Sequence, residues 1–331
     1  MSFTQVFLSD EFFLSNDKIN TRINASSNAE KIASRVSCDG VDYKNEKFRK
    51  SKAFLFKDIY LQTPSKYSVC VPIKSGSKTF RKEIGKLYRA VSDPLKKKFL
   101  NVSSELDLKG RNFHASYMIW RSQQKGYGVD AQRSKAKKNL LVTRDPFERL
   151  ATFWQSRFNK ENENVWNSMK LHGEIIHEVL SLDSDCIPRD LSSKIESKME
   201  NYSLTLNEFS RFYLIMNYLV EKNDENCPFN NQDLEKTDYR RTFRYFYSSI
   251  GSIYEQCRLC DIAYDYQLDL HDLRKGVGSL SNNAEFSWIF SGPKNYTFER
   301  PTFTKMLNSN MKKLLNNYFK KDIYVFGYQN I

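Results

Sequence analysis

Two stretches of the sequence combine the residue types that bind phosphate groups. In Lys74–Thr79 (KSGSKT), small residues allow successive backbone amides to converge, and a lysine can meet a charged oxygen. Arg144 opens the second stretch (RDPFERLAT), and its guanidinium can bind a phosphate through two hydrogen bonds. Thr152 closes that stretch and can donate a hydroxyl hydrogen bond to the same group. Neither stretch is a Walker A loop, because the sequence lacks G-x-x-x-x-G-K-[ST].

Each stretch follows a predicted strand and leads into a predicted helix, whose first turns contain the end of the second stretch. The predicted elements are strands over 53–60, 67–73 and 139–143 and helices over 80–93 and 147–158. Ligands of doubly wound sheets bind at the carboxyl ends of parallel strands, so both stretches are expected to bind one ligand that carries phosphates at both ends. The alternative interpretation makes each stretch an ordinary turn, with Arg144 in a surface ion pair and Thr152 without a role.

The chain is interpreted as one α/β domain over 53–331, which includes these elements, preceded by a polar arm over 1–52. Thr205 and Glu208 form a capping box that predicts a helix to about residue 221. A strand over 259–266 and a helix over 301–319 are also expected. Residues 160–203 are polar and poorly patterned, which predicts a variable insertion.

The charge balance favours a polyanionic partner. The 331 residues include 52 Lys and Arg against 39 Asp and Glu, a formal net charge of +13. This charge fits nucleic acid, acidic glycan, anionic lipid or a multiply phosphorylated nucleotide, but no nucleic-acid module is recognisable. No run of roughly 18 apolar residues occurs, so neither a membrane anchor nor a signal peptide is expected in this chain.

No metal site is predicted. Cys257 and Cys260 form a C-x-x-C pair, but a structural zinc site needs four ligands and no second pair exists. Asp183 and Asp185 lie in the unpatterned insertion and are expected in an exposed loop. The six cysteines are compatible with disulfides, whose connectivity the sequence leaves open.

Four blocks, in order along the chain, resemble the Golgi carbohydrate sulfotransferases. They are Lys74–Phe80 preceded by Cys70-Val71-Pro72, Arg144–Phe158 (RDPFERLATFWQSRF), Cys257-x-x-Cys260 with Tyr264-Asp265, and Asp322–Tyr328 (DIYVFGY). The resemblance implies a P-loop-like three-layer α/β sandwich with a central parallel sheet and helical insertions. It also implies transfer of a sulfuryl group from 3′-phosphoadenosine 5′-phosphosulfate (PAPS) to a glycan hydroxyl.

The same resemblance implies which residues bind PAPS. Lys74 would contact the 5′-phosphosulfate and its leaving oxygen, while Arg144 and Thr152 would bind the 3′-phosphate. The remaining residues of this set, which belong to the 5′-phosphosulfate loop and the helix after it, are Ser75, Gly76, Ser77, Lys78, Thr79, Phe80 and Arg81.

His114 is the candidate catalytic base. The segment from His114 to Trp120 (HASYMIW) resembles the part of the heparan sulfate and uronyl 2-O-sulfotransferases that carries their catalytic histidine. A histidine can take a hydroxyl proton near pH 7. The alternative is that His114 packs against its aromatic neighbours. His172, His177 and His271 are expected at the surface.

The sequence departs from the family pattern at three points, which leaves alternative functions open. Ile73 separates Pro72 from Lys74, Lys78 replaces the usual Ser or Thr, and Ser249–Gly251 lacks the family's His-Trp pair. The alternatives are an inactive PAPS- or glycan-binding relative and a basic P-loop-like kinase. The resemblance implies an anionic glycan partner, a location in the Golgi lumen, and membrane association only through an anchor that this sequence lacks.

Overall fold

A computed structural model describes residues 36, 59–63, 67–90, 138–159, 165–182, 187–192, 203–222, 242, 245–247, 249–260, 262–270 and 303–331. The chain divides into two compact units. The first contains Met1–Arg144 and Ile253–Asn295, and the second contains Asp145–Ser252 and Tyr296–Ile331. Apart from Val36, the predicted arm over 1–52 lies outside the described residues, and the boundary at residue 53 stays a prediction.

A four-stranded sheet forms the centre of the first unit. Its strands, in spatial order, are β1 (Tyr60–Gln62), β2 (Tyr67–Cys70), β3 (Lys138–Thr143) and β4 (Tyr266–Asp269). β1 is antiparallel to β2, while β2, β3 and β4 are mutually parallel. The prediction of an α/β fold with a mostly parallel sheet is therefore confirmed.

Helix α1 (Ser77–Ala90) packs on one face of this sheet. Its Phe80 and Ile84 join a buried cluster with Val69, Val142 and Leu268 of the three parallel strands. Side chains alternate between the faces of a strand, so the residues between these apolar ones point to the opposite face. Both faces of β3 are largely buried, which explains why its sequence is a nearly continuous apolar run.

A disulfide between Cys70 and Cys257 joins the end of β2 to the turn after the short helix α5 (Ile253–Gln256). Cys260 is disulfide-bonded as well. The hydroxyl of Tyr264 donates to the carbonyl of Cys257 at 2.6 Å, which further ties this segment together. A strand over 259–266 was the wrong prediction. Leu259 and Cys260 lie in a turn that directly follows the left-handed Arg258, with φ of 51°, and β4 begins only at Tyr266.

The two predicted strands around residue 64 are both observed within the described residues, with different bounds. Residues 53–58 lie outside the described range, and β1 covers only Tyr60–Gln62. β2 ends at Cys70, three residues before the predicted end. Pro72 has no N–H to donate to a neighbouring strand, which accounts for the early end of β2.

The second unit is helical in its described residues. Its longer helices are α2 (Pro146–Arg157), α3 (Val165–Leu180), α4 (Leu206–Lys222), α6 (Ser309–Tyr318) and α7 (Lys320–Phe326). Their apolar faces share one core, in which Phe209 stacks on both Phe153 and Phe158. None of the helices within the described ranges combines the length and the apolar character needed to span a bilayer.

Local sequence signals explain where these helices begin. The predicted capping box is confirmed, because Thr205 N donates to Glu208 Oε2 at 2.7 Å and Glu208 N donates to Thr205 Oγ1 at 3.2 Å. Asn308 caps α6, which therefore starts at Ser309, eight residues after the predicted start. The prediction that 160–203 lacks pattern was incomplete, because α3 buries Ile176 and Val179 in the core.

Candidate functional site

The chain turns sharply after β2. Lys74 has φ of 66° and Gly76 has φ of 85°, so two left-handed residues flank Ser75. Ser75 N donates to the carbonyl of Pro72 at 2.9 Å and closes the turn. A Cβ on Gly76 would lie 3.2 Å from Leu270 Cδ1, so both the conformation and the space favour glycine there. A left-handed lysine stores strain, which is common at ligand-binding turns.

This turn leads into the N-terminus of α1. The first turn of α1 contains no acidic residue. The amide of Phe80 already donates to the carbonyl of Gly76 at 3.0 Å, but no acceptor among the described residues meets the amides of Gly76–Thr79. Four backbone donors with the positive end of a helix dipole form a natural environment for an anion.

A buried hydroxyl supports the same interpretation. Ser75 is completely buried, and its Oγ has no hydrogen-bond partner within the described residues. Burying a hydroxyl without a partner costs about 1–3 kcal/mol, so a ligand oxygen that pairs with it would recover that cost. The loop therefore combines backbone donors and a buried hydroxyl that suit an anion.

Arg144 brings the second predicted stretch to this loop. It follows β3 directly, it is only 3% exposed, and its Nη1 donates to the carbonyl oxygen of Lys74 at 2.7 Å. The register pairs Cys70 with Leu141, so β2 and β3 send their chains out at the same edge of the sheet. The predicted meeting of the Lys74 and Arg144 strand ends is thus observed.

A carboxylate lies at the same edge, and the sequence analysis did not find it. Asp269 ends β4 and is the register partner of Thr143, the last residue of β3. Thr143 Oγ1 donates to Asp269 Oδ2 at 3.3 Å and accepts from Gln267 Nε2 at 3.0 Å. The signal was the alternation of Tyr266-Gln267-Leu268-Asp269, which the wrongly positioned strand over 259–266 concealed.

The other residues that were predicted to bind PAPS differ in their exposure. Phe80 packs in the sheet core, so its ring is unavailable to a ligand. Lys78 is exposed, whereas Thr79 and Arg81 are half-buried on α1. Thr152 is half-buried in the second turn of α2, in the second unit, and its role at a phosphate stays a prediction.

The predicted catalytic base, His114, lies outside the described residues. His172 was expected at the surface, but it is 7% exposed, with its Nδ1 2.9 Å from Thr242 Oγ1 and its ring stacked on Tyr245. Burial raises the pKa of the Tyr245 hydroxyl. His172 is thus a packed residue of the second unit.

This chain is similar to a carbohydrate sulfotransferase. Carbohydrate sulfotransferase 12 of Xenopus laevis is 25% identical over 234 residues, which cover 67% of this chain and 48% of that protein. The chain thus spans about half the length of this curated relative. No family model and no solved structure matches the chain.

Two further segments that resemble carbohydrate sulfotransferases have structural roles in the second unit. Arg149 of the RDPFERL motif is fully buried, and its guanidinium donates to the carbonyls of Gly251 and Ser249 at 3.0 and 3.3 Å. Asp322, also fully buried, accepts a hydrogen bond from Ser252 Oγ at 2.7 Å. Both residues hold the segment 249–252, in which the family's His-Trp pair is missing.

No group of three potential metal ligands occurs in the described part of the chain. Of the C-x-x-C pair considered above, Cys257 is bonded to Cys70, and Cys260 is also in a disulfide. Neither sulfur is therefore a thiolate that could ligate zinc. Positive charge at the loop comes from the side chains of Lys74, Lys78 and Arg144.

Proposed function

We propose that this protein is a PAPS-dependent sulfotransferase that moves a sulfuryl group to a hydroxyl group of a glycan. The observation that carries the proposal is the 2.7 Å hydrogen bond from Arg144 to the carbonyl of Lys74. It joins two parallel strand ends, each of which introduces a phosphate-competent stretch. The similarity to Carbohydrate sulfotransferase 12 supports a carbohydrate acceptor.

The donor site follows from this arrangement and from the family resemblance. Backbone amides of Gly76–Thr79 and the hydroxyls of Ser75, Ser77 and Thr79 bind the 5′-phosphosulfate. Arg144 binds the 3′-phosphate, with Thr152 as its second donor. The fold around the site is P-loop-like, with the parallel sheet as the middle layer of a three-layer sandwich.

Sulfuryl transfer depends on positioning and on neutralising the charge that develops on the departing phosphate. Lys74 neutralises the leaving 5′-phosphate oxygen. His114 takes the proton of the acceptor hydroxyl while that oxygen attacks sulfur. Oriented backbone dipoles cost no reorganisation during the reaction, so the strained turn at Lys74 would hold its amides ready for the developing charge.

The charge of the chain and its disulfide support the proposed acceptor and location. A formal net charge of +13 favours an anionic glycan over a neutral one. The Cys70–Cys257 disulfide supports an oxidising compartment, and the family resemblance makes that compartment the Golgi lumen.

Ligand binding tests the proposal directly. The product PAP should raise the melting temperature and bind in isothermal calorimetry, and ATP with magnesium should do neither. Radiolabelled sulfate should pass from PAPS to at least one of desulfated chondroitin, dermatan or heparan. Binding of PAP without transfer to any chain would favour an inactive relative, and stabilisation by ATP with magnesium would favour the kinase alternative.

A further inference from the structure

A carboxylate at the ligand-binding edge of a basic protein requires an explanation. Asp269 ends the third parallel strand and is partly exposed. Neighbouring strands lie about 4.8 Å apart and successive Cα atoms 3.8 Å apart, so the Cα atoms of Asp269 and Arg144 lie within roughly 9 Å of each other. This negative side chain thus shares the sheet edge with the groups assigned to the donor.

The structure holds this carboxylate in a fixed orientation. Gln267 Nε2 donates to Thr143 Oγ1 at 3.0 Å, and this leaves the hydroxyl proton of Thr143 for Asp269 Oδ2 at 3.3 Å. Thr143 is completely buried and therefore cannot turn toward water. A threonine and a glutamine that both serve to orient one carboxylate are typical of a binding group rather than of a solvated surface charge.

We propose that Asp269 binds the acceptor sugar by accepting a hydrogen bond from a hydroxyl beside the one that receives the sulfuryl group. The proposal rests on the proposed function. A carboxylate accepts hydrogen bonds from neutral hydroxyls and repels sulfate and uronate groups at the same position. The protein would then attract a polyanionic chain through its net charge, yet demand an unsulfated sugar at the point of transfer.

Acceptor kinetics test this inference. Transfer would be measured on desulfated chondroitin, dermatan and heparan, each beside its sulfated counterpart, for wild type and Asp269→Asn. Loss of a hydrogen bond to a charged group should lower kcat/KM on the best desulfated chain by about 10- to 100-fold. The preference for desulfated over sulfated chain should shrink, while the Kd of PAP stays within twofold.

Asp265→Asn is the matched control, because Asp265 lies just before the opposite end of β4 and binds Lys138 and Asn139 N. It should change thermal stability but neither the chain preference nor the Kd of PAP. If Asp269→Asn fails to fold, Thr143→Val keeps the charge and removes its orienting hydroxyl, and the preference should shrink in the same direction by a smaller factor.

Three outcomes would overturn the inference. In the first, Asp269→Asn prefers desulfated over sulfated chains as strongly as wild type does; if Asp269→Asn does not fold, the same result for Thr143→Val counts. Another is loss of PAP binding in Asp269→Asn, which would make Asp269 part of the donor loop. In the third, wild type binds no PAP or sulfates none of the six chains, and the proposed function falls together with the inference.

Discussion

Two helices of the molecule follow phosphate-competent stretches, yet their first turns are built in opposite ways. α1 begins with no acidic residue, and the amides of Gly76–Thr79 meet no acceptor among the described residues. α2 begins at Pro146, which has no N–H, and the Asp145 carboxylate accepts from the amides of Phe147 and Glu148 at 2.9 and 3.2 Å. Within the described residues, the amides at the first N-terminus have no acceptor, whereas Asp145 accepts from two amides at the second.

The comparison shows that the same order of strand, turn and helix does not imply the same anion chemistry. At α1 the anion would meet backbone amides and the hydroxyl of Ser75. At α2 the carboxylate of Asp145 occupies the amides, so under the proposed function the side chain of Arg144 would supply the positive charge. Substitutions in the turn before α1 should therefore mainly weaken ligand binding, whereas loss of the Asp145 cap of α2 should mainly lower stability.

The largest effect is expected from Arg144→Ala. It removes the proposed 3′-phosphate contact and the hydrogen bond that holds the Lys74 carbonyl, so sulfate transfer should fall by about 1,000-fold or more. Arg144→Lys is the control, because it keeps the charge and loses the two-pronged geometry. Transfer assays and PAP calorimetry would measure both, and near-normal transfer by Arg144→Ala would remove the donor-site assignment.

Gly76→Ala should have the next largest effect. Its φ of 85° and the 3.2 Å approach to Leu270 should cost about 1–2 kcal/mol in unfolding free energy, and the distorted turn should weaken PAP binding. Gly327→Ala, at φ of 73° after α7, carries the same backbone cost away from the loop. Chemical denaturation should show a similar loss of stability in both variants. Calorimetry should show weaker PAP binding only in Gly76→Ala.

Ser75→Ala should separate ligand binding from folding. Removing a buried hydroxyl that has no partner in the described residues should leave the unfolding free energy unchanged or raise it by about 1 kcal/mol. PAP affinity should fall by about 5- to 10-fold if Ser75 Oγ pairs with the ligand. Unchanged affinity would show that the hydroxyl has no part in binding.

Asp145→Ala should give the opposite and smallest result. Loss of a helix cap costs about 1 kcal/mol, so chemical denaturation should detect lower stability, while PAP affinity should be unaffected. Asp145→Asn preserves the cap and should behave like wild type. A drop in PAP affinity for Asp145→Ala without loss of stability would contradict the assigned difference between the two helix N-termini.

The sequence predicted the elements in which local and global signals agree. The apolar run of β3, the proline at the start of α2 and the capping box of α4 each act within a few residues of chain. The loop Lys74–Thr79 was also found, because its small residues are needed by the turn itself. These features depend on backbone geometry that neighbouring side chains dictate.

The predictions failed where distant residues decide the conformation. The run 259–266 was predicted as a strand, yet its first two residues lie in a turn beside Cys257, which is bonded to Cys70, 187 residues away. Asp269 was missed for the same reason, since its role depends on the register of β4 against β3. The pairing of cysteines could not be derived, because spacing along the chain carries no information about distance in space.

That disulfide also gives the chain a topological property. Its two cysteines enclose both candidate phosphate-binding stretches and the whole of 145–252 in one covalent ring. A protease that cuts once inside this ring opens a loop but releases no fragment, so the cleaved protein stays one molecule until a reductant acts. Closing so long a ring also lowers the entropy of the unfolded chain by an amount worth about 5 kcal/mol in the chain-entropy model.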